Sequence, residues 1–386
     1  MASADSLAAT VEILDRLVGF DTTSARSNLE LIDWITDYLG RYGIASTRSS
    51  AFDGKANLFA TIGPADAGGV ILSGHTDVVP VDGQDWSTDP FDAVVKDGKL
   101  FGRGACDMKG FIAVALSLLP QIAAATLARP LHLALSYDEE VGCVGVTGLL
   151  EDLRKGNIKP ALAIIGEPTL MRIVGAHKGG AKLVTHCCGK EGHSSAPHKG
   201  ASAVMMAGEF IAALGRVGAE LEHDRDDRFD PPYTTTGANV ISGGTALNIL
   251  AGECTITWEC RPLPGRDPLA VVARMKEIAQ HTILPKFRRG APDADFETVV
   301  AASYPGLALD PDSPAVRLAR ELTGANAVET AAYGTEAGHF ARAGIPAVIC
   351  GPGSIEQAHK ADEYCALSEI DACKRFLSNV VARACA

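Results

Sequence analysis

The apolar run Leu131-His132-Leu133-Ala134-Leu135 barely alternates, and it stops at Ser136-Tyr137-Asp138-Glu139-Glu140-Val141-Gly142. A strand that is apolar on both faces needs cover on both, the condition of a central strand in a parallel sheet layered by helices. Similar runs, Asn57 to Ile62, Val70 to Leu72 and Leu162 to Ile165, alternate with helical patterns. Leu7, Val11, Leu14 and Val18 recur at helical spacing; Phe111 to Leu119 forms a second helix stopped by Pro120, and Val144 to Leu153 a third. The expected fold class is therefore α/β with a mostly parallel sheet.

From His177 the pattern changes. Lys182 to Thr185 is strand-like, Ala201 to Leu214 helical, Thr255 to Glu259 alternating and Pro268 to Ile278 helical, the makings of a compact α+β domain. Helix (Ser313 to Leu322) and buried strand (Ala347 to Cys350) then return. The expected organisation is one domain from residues 1–176 and 304–386, with residues 177–303 inserted into it.

Composition narrows the function. Thirty-five Lys+Arg against 47 Asp+Glu give a net charge of −12 without a basic run, so nucleic acid and anionic membrane surfaces are poor partners and a small molecule is the better one. No apolar stretch reaches the roughly 18 residues of a membrane span and no secretory leader is present, which points to the cytoplasm. The ten cysteines are scattered without a C-x-x-C pair and read as reduced, mostly buried thiols. Cys187-Cys188 with Cys254 and Cys260 is a weak alternative as a structural metal site.

Four segments place a His or a carboxylate where an apolar run stops: SGHTDVV (His75, Asp77), GRGACDMKG (Asp107), SYDEEVG (Glu139, Glu140) and IIGEPT (Glu167). Ligand sites of open α/β sheets lie beyond the carboxyl ends of the strands, so these segments converge on one crevice, and His359 in QAHKADEY can join them. Taken singly, each is more often a satisfied polar group or a solvated face. Together they make an edge that is strongly repulsive unless cations neutralise it. Two divalent ions would do so, and mixed His and carboxylate ligands suit zinc, cobalt or manganese better than calcium or magnesium. His75 is a plausible ligand, with the Asp77 carboxylate orienting its ring. GRGACD is a near miss to the dinucleotide fingerprint, but Asp107 stands at the third glycine position and would repel a pyrophosphate. No P-loop, H-E-x-x-H or G-x-S-x-G is present.

In this order, and with GHSSAPHKG, ANVISGGTALNIL, YGTEAGHF and GIPAVICGPGSIEQAHKADEY, the chain resembles the di-zinc aminoacylase and carboxypeptidase family over essentially its full length. The likeness is greatest to the bacterial acetylornithine deacetylases of that family. The resemblance implies a zinc-binding catalytic domain and an inserted dimerisation (lid) domain. It implies two zinc ions, or cobalt, with Asp107 bridging, His75 and Glu167 completing one site and Glu140 and His359 the other. Glu139 would be the general base, with Asp77 beside the catalytic centre. His193 would come from the partner subunit of a homodimer to stabilise the oxyanion, or it is no more than a strand-end cap. Asn239 and Arg261 would hold the substrate carboxylate, with Gly334 beside them, although Arg261 could equally brace a loop. Glu336 is our assignment for the distal ammonium of ornithine. A cis peptide at Asp107-Met108 is expected. The activity implied is release of acetate from N2-acetyl-L-ornithine in arginine biosynthesis. The alternatives are another N-acyl amino acid (acetylcitrulline, acetylmethionine, succinyl-diaminopimelate), a dipeptide, or a catalytically silent binder. The intact Glu139 and ligand set argue against the silent binder. The acidic stretch Glu222 to Asp230 reads as a solvated loop, and Asp138 has no assigned role.

Overall fold

The computed structural model describes residues 2–52, 54–64 and 68–386. The chain divides into two compact units: Met1–Ala176 with Leu309–Glu329 and Thr335–Ala386, and His177–Ala308 with Thr330–Gly334. Relative to the expected boundaries, the second unit runs on past residue 303 to Ala308 and includes Thr330–Gly334.

An eight-stranded sheet runs, from edge to edge, Ser46–Phe52, Lys55–Ile62, Leu131–Ser136, Val70–His75, Leu162–Pro168, Ala347–Gly351, Val174–His177 and Glu329–Ala331. Leu131–Ser136, Val70–His75, Leu162–Pro168 and Ala347–Gly351 are parallel neighbours, and the pairings flanking them at Lys55–Ile62 and Val174–His177 are antiparallel. Every residue of Leu131–Ser136, Leu162–Pro168 and Ala347–Gly351 is buried, as two-sided cover requires.

One face supplies alternate residues (Leu72, Leu131, Leu133, Leu135, Leu162, Ile164, Val348) to a core shared with helices Ala2–Val18, Leu29–Gly40, Lys109–Ser117, Pro314–Thr323 and Leu367–Ala384. Helix Val144–Lys155 packs against Ser46–Phe52, Lys55–Ile62 and Leu131–Ser136. Pro120 does not simply end a helix. Lys109–Ser117 stops first, and Pro120 sits in the opening turn of Leu119–Ala124, where its missing N–H leaves no hydrogen bond unmade. Among the described residues, no helix is long and apolar enough to cross a membrane.

The second unit is a four-stranded antiparallel sheet in the order Thr235–Gly243, Glu253–Arg261, Gly180–Cys188, Asp295–Tyr304. Helices Ala203–Leu221 and Ala270–Ile278 share its core with Leu183, Cys187, Cys254, Ile256, Trp258 and Cys260. Ser202 caps the longer helix by accepting from the Met205 N–H. All ten cysteines are free thiols, eight of them buried, and no metal cluster forms around Cys187, Cys254 and Cys260 among the described residues.

Candidate metal and catalytic centre

Register brings the candidate residues together. His75 pairs with Ser136 across neighbouring parallel strands, and Ser73 pairs with Ile165. The strand ends are thus level, with Glu139 and Glu140 just beyond one and Glu167 the next-to-last residue of another.

His75 is 1% exposed. Its Nδ1 lies 2.9 Å from the backbone carbonyl of Asp77. A carbonyl only accepts, so Nδ1 carries the proton, and Nε2 faces Asp107 Oδ1 at 3.0 Å and Glu167 Oε1 at 3.9 Å. The ring is therefore oriented by the main chain of Asp77 rather than by its carboxylate, which lies 3.6 Å from Nδ1. That carboxylate has another task. Its two oxygens accept the backbone N–H groups of Glu139 (3.0 Å) and Glu140 (3.2 Å), and the Ser24 hydroxyl donates to Oδ2 at 2.8 Å. Asp77 thus fixes the turn that presents both glutamates.

The turn begins where the strand breaks. Asp138 has a left-handed backbone (φ 55°), and the N–H groups of Gly142 and Cys143 donate to the Glu139 carbonyl. The Asp138 carboxylate takes two bonds from the Lys55 ammonium, at 2.7 and 2.8 Å, which supplies the missing role: a neutralised anchor for the turn. The Cys143 thiol donates to Glu139 Oε1 at 3.2 Å.

Asp107 directs Oδ1 at His75 and Oδ2 at His359 Nε2, 3.3 Å away, so the carboxylate stands between the two imidazoles. The peptide bond joining Asp107 to Met108 is cis, as expected. His359 Nε2 also lies 3.0 Å from Glu140 Oε2. Potential ligand atoms of His75, Glu139 and Glu167 lie within 4.8 Å of one another, and so do those of His75, Asp107 and Glu140.

The electrostatics state the need for cations. Burial raises the Glu139 carboxyl to about 8, Glu140 and Asp107 adding to the rise, and burial raises Glu140 and Glu167 as well. Burial also opposes ionisation of Asp107, but hydrogen bonds from His359 and His75 outweigh it and hold the group below its usual range. Burial opposes protonation of His75, yet Asp107 and Glu167 leave its pKa well above 6.5. Hydrogen bonds to Asp107 and Glu140 raise His359 to about 10. Without an ion, then, protons neutralise a set of groups whose ligating forms are carboxylate and neutral imidazole. Divalent cations reverse that balance, and the donor set fits them.

Glu336, at the start of helix Ala337–Arg342, is 1% exposed. The Ser73 hydroxyl points at Oε2 from 3.4 Å, Oε1 is buried without a hydrogen-bond partner, and burial raises the group to about 7.

His193, Asn239, Arg261 and Gly334 belong to the second unit. His193 is exposed in a two-residue strand, where its Nδ1 accepts from the Ser195 hydroxyl at 2.8 Å. Asn239 sits in a bulge, skipped between Ala238 and Val240 in the pairing with Glu253–Arg261, a device that re-aims a side chain. Arg261 holds Glu259 through Nε and Nη2, at 3.2 and 3.0 Å. A side chain at Gly334 would meet the Tyr304 ring at 2.0 Å.

Residues 71–383 match the model of peptidase family M20/M25/M40. The chain belongs to this family. It is 38% identical over 388 residues to an acetylornithine deacetylase of Myxococcus xanthus, covering 99% of each chain. It is 34% identical to the acetylornithine deacetylase of Pasteurella multocida, with 93% of this chain and 92% of that one covered. Among solved folds it is similar to an M20 family metallo-carboxypeptidase of Sulfolobus solfataricus, with a TM-score of 0.78 at 18% identity, covering 97% of this chain and 99% of that one. It is also similar to a dinuclear metal-binding M20 peptidase of Bacillus subtilis, with a TM-score of 0.68 at 15% identity and 98% of each chain covered.

Sequence reasoning missed Ser24, Lys55, Arg103 and Glu363, which hold the site without facing it. Only Arg103, in a buried segment, carried a local signal, and the partners of all four are remote in sequence.

Proposed function

We propose that the chain is a zinc-dependent deacetylase that converts N2-acetyl-L-ornithine and water to L-ornithine and acetate, for arginine biosynthesis in the cytoplasm. The observation that carries the reading is the convergence of His75, Asp107, Glu140, Glu167 and His359 around Glu139, in a chain whose near-full-length relatives bear that name. Two zinc ions held there, or cobalt in their place, would polarise the amide carbonyl and bring the pKa of a water towards about 7.

His75 and Glu167 serve one site, Glu140 and His359 the other, and Asp107 faces both. Glu139 takes the proton of the attacking water and passes it to the leaving amine. Asp77 keeps Glu139 in place through the Glu139 N–H. The second unit serves as the dimerisation and lid domain: Val240, Ile241 and Leu247 are exposed apolar residues at its sheet edge and in the loop beyond, suited to a second copy of the chain. In that homodimer the partner subunit's His193 donates to the developing oxyanion. Asn239 and the Arg261 guanidinium bind the substrate carboxylate, with Gly334 leaving room beside Tyr304. The unpartnered Oε1 of Glu336 accepts the distal ammonium.

The test is a comparison of acetylornithine, acetylcitrulline, acetylmethionine and succinyl-diaminopimelate on zinc-loaded enzyme. The highest kcat/KM is expected for acetylornithine. A higher value for any other compound reassigns the substrate, and no turnover with two ions bound makes the protein a binder.

A further inference from the structure

His359 is an unusual carrier for a metal ligand. Its side chain is about half exposed, and its backbone, like that of Asp362, lies in the left-handed region (φ 63° and 53°). Non-glycine residues hold that conformation only where surroundings over-determine it. No helix or strand spans residues 352–363, so what fixes this loop must come from elsewhere.

It comes from a chain of hydrogen bonds centred on Arg103, a guanidinium only 1% exposed. Its Nη1 donates to Glu363 Oε2 at 2.7 Å and to the Lys360 carbonyl at 3.3 Å. Its Nη2 donates to Gln84 Oε1 at 2.5 Å. Gln84 turns its amide nitrogen to the carbonyl of His359 itself, at 2.9 Å. On the other side, Glu363 Oε1 accepts the backbone N–H groups of Cys106 and Asp107, at 2.9 and 3.0 Å. One buried ion pair therefore grips the segment carrying Asp107 and the loop carrying His359, and Gln84 extends the grip to the histidine. A buried pair of this kind contributes little net stability against apolar residues of similar volume, whereas its fork geometry fixes positions well.

We infer that Gln84, Arg103 and Glu363 are positioning residues that hold the His359 loop in register with Asp107, and that Gln84 sets the affinity of the metal site completed by His359. The inference rests on the ligand assignment proposed above. Residues behind the ligands commonly change metal affinity by about 10- to 100-fold.

Gln84→Glu separates the two bonds. A carboxylate still accepts from Arg103 but cannot donate to the His359 carbonyl. Gln84→Ala removes both bonds. The experiment titrates chelator-stripped, full-length wild type, Gln84→Glu, Gln84→Ala and His359→Ala with zinc chloride by calorimetry, alongside melting of the metal-free proteins. In both Gln84 variants the zinc site that His359→Ala removes should lose about 10- to 100-fold in affinity, with the other site and the metal-free melting temperature unchanged, and excess zinc should restore kcat. The extra negative charge of Gln84→Glu would by itself tighten a cation, so weakening there comes from the lost anchor. Two wild-type affinities in both Gln84 variants would overturn the inference, as would equal weakening of both sites with a lower metal-free melting temperature. If His359→Ala itself binds two ions as the wild type does, the ligand assignment fails. If it loses one ion while the Gln84 variants lose nothing, the positioning role alone fails.

Discussion

Strand Leu131–Ser136 of the first unit and strand Glu253–Arg261 of the second solve different problems. The first is buried at every residue, and the acids follow only after it stops. The second alternates buried and open positions, with Trp258 and Ile256 in the core and Glu259 and Arg261 outside it. A strand covered on both faces has only its end free for chemistry, and burial there raises Glu139, the proposed base, to about 8. A strand covered on one face keeps the other for recognition. Four substitutions or conditions, from the largest effect to the smallest, break or sharpen that contrast.

Glu139→Gln should cut kcat by about 10²- to 10⁴-fold while two ions still bind, checked by turnover and metal analysis; near wild-type kcat would remove Glu139 from the chemistry. In the second unit, Trp258, 2% exposed with its Nε1 donating to Thr185 at 2.8 Å, is core alone. Trp258→Ala should cost about 3 to 5 kcal/mol of stability in denaturant melts, and the strand-end site should keep its metal affinity. Third is the pH response of the metal-free protein. Folded-state values of about 8 for Glu139 and about 7 for Glu336 exceed the usual 4.5, so their stabilising contribution is complete below about 4.5 and is lost as pH rises through 7 to 8. His359, raised to about 10, has the same sign from about 6.5 upward. The melting temperature of stripped protein should therefore fall from pH 5 to pH 8, and zinc should weaken the trend by removing the contribution of His359; a rise would contradict the burial of these groups. Smallest, Asp224→Ala breaks an exposed pair with Arg266 in the acidic stretch and should leave melting and turnover unchanged.

What the sequence disclosed follows the same division. Runs apolar on both faces announced the central strands, and a polar residue at the stop of each marked the site. Strands with one open face were harder. Ser46–Phe52, Thr235–Gly243 and Asp295–Tyr304 carry polar and apolar residues in no sharp pattern; all three are edge strands, and Thr235–Gly243 has no buried residue and Asp295–Tyr304 only two. Among candidate site residues, His75, Glu140 and Glu167 were legible because they stand at or just past the ends of neighbouring strands, whereas Asp107, ahead of a helix, and His359, in a loop, took their place in the ligand set from the family resemblance. The role of the Asp77 carboxylate was misjudged, since its proximity to His75 in sequence said nothing of the Glu139 and Glu140 N–H groups it binds. Lys55 with Asp138 and Arg103 with Glu363 were invisible for a similar reason: pairing across distant segments leaves no periodicity.

The first unit is assembled from pieces that the second interrupts, and His359 lies beyond the interruption. During synthesis a nascent chain can display His75, Asp107, Glu140 and Glu167 well before the last imidazole leaves the ribosome. On the proposed ligand assignment, a partly made protein is limited to an incomplete ligand set, and full metal loading would report that both units have been made and the first has closed around its own late segment.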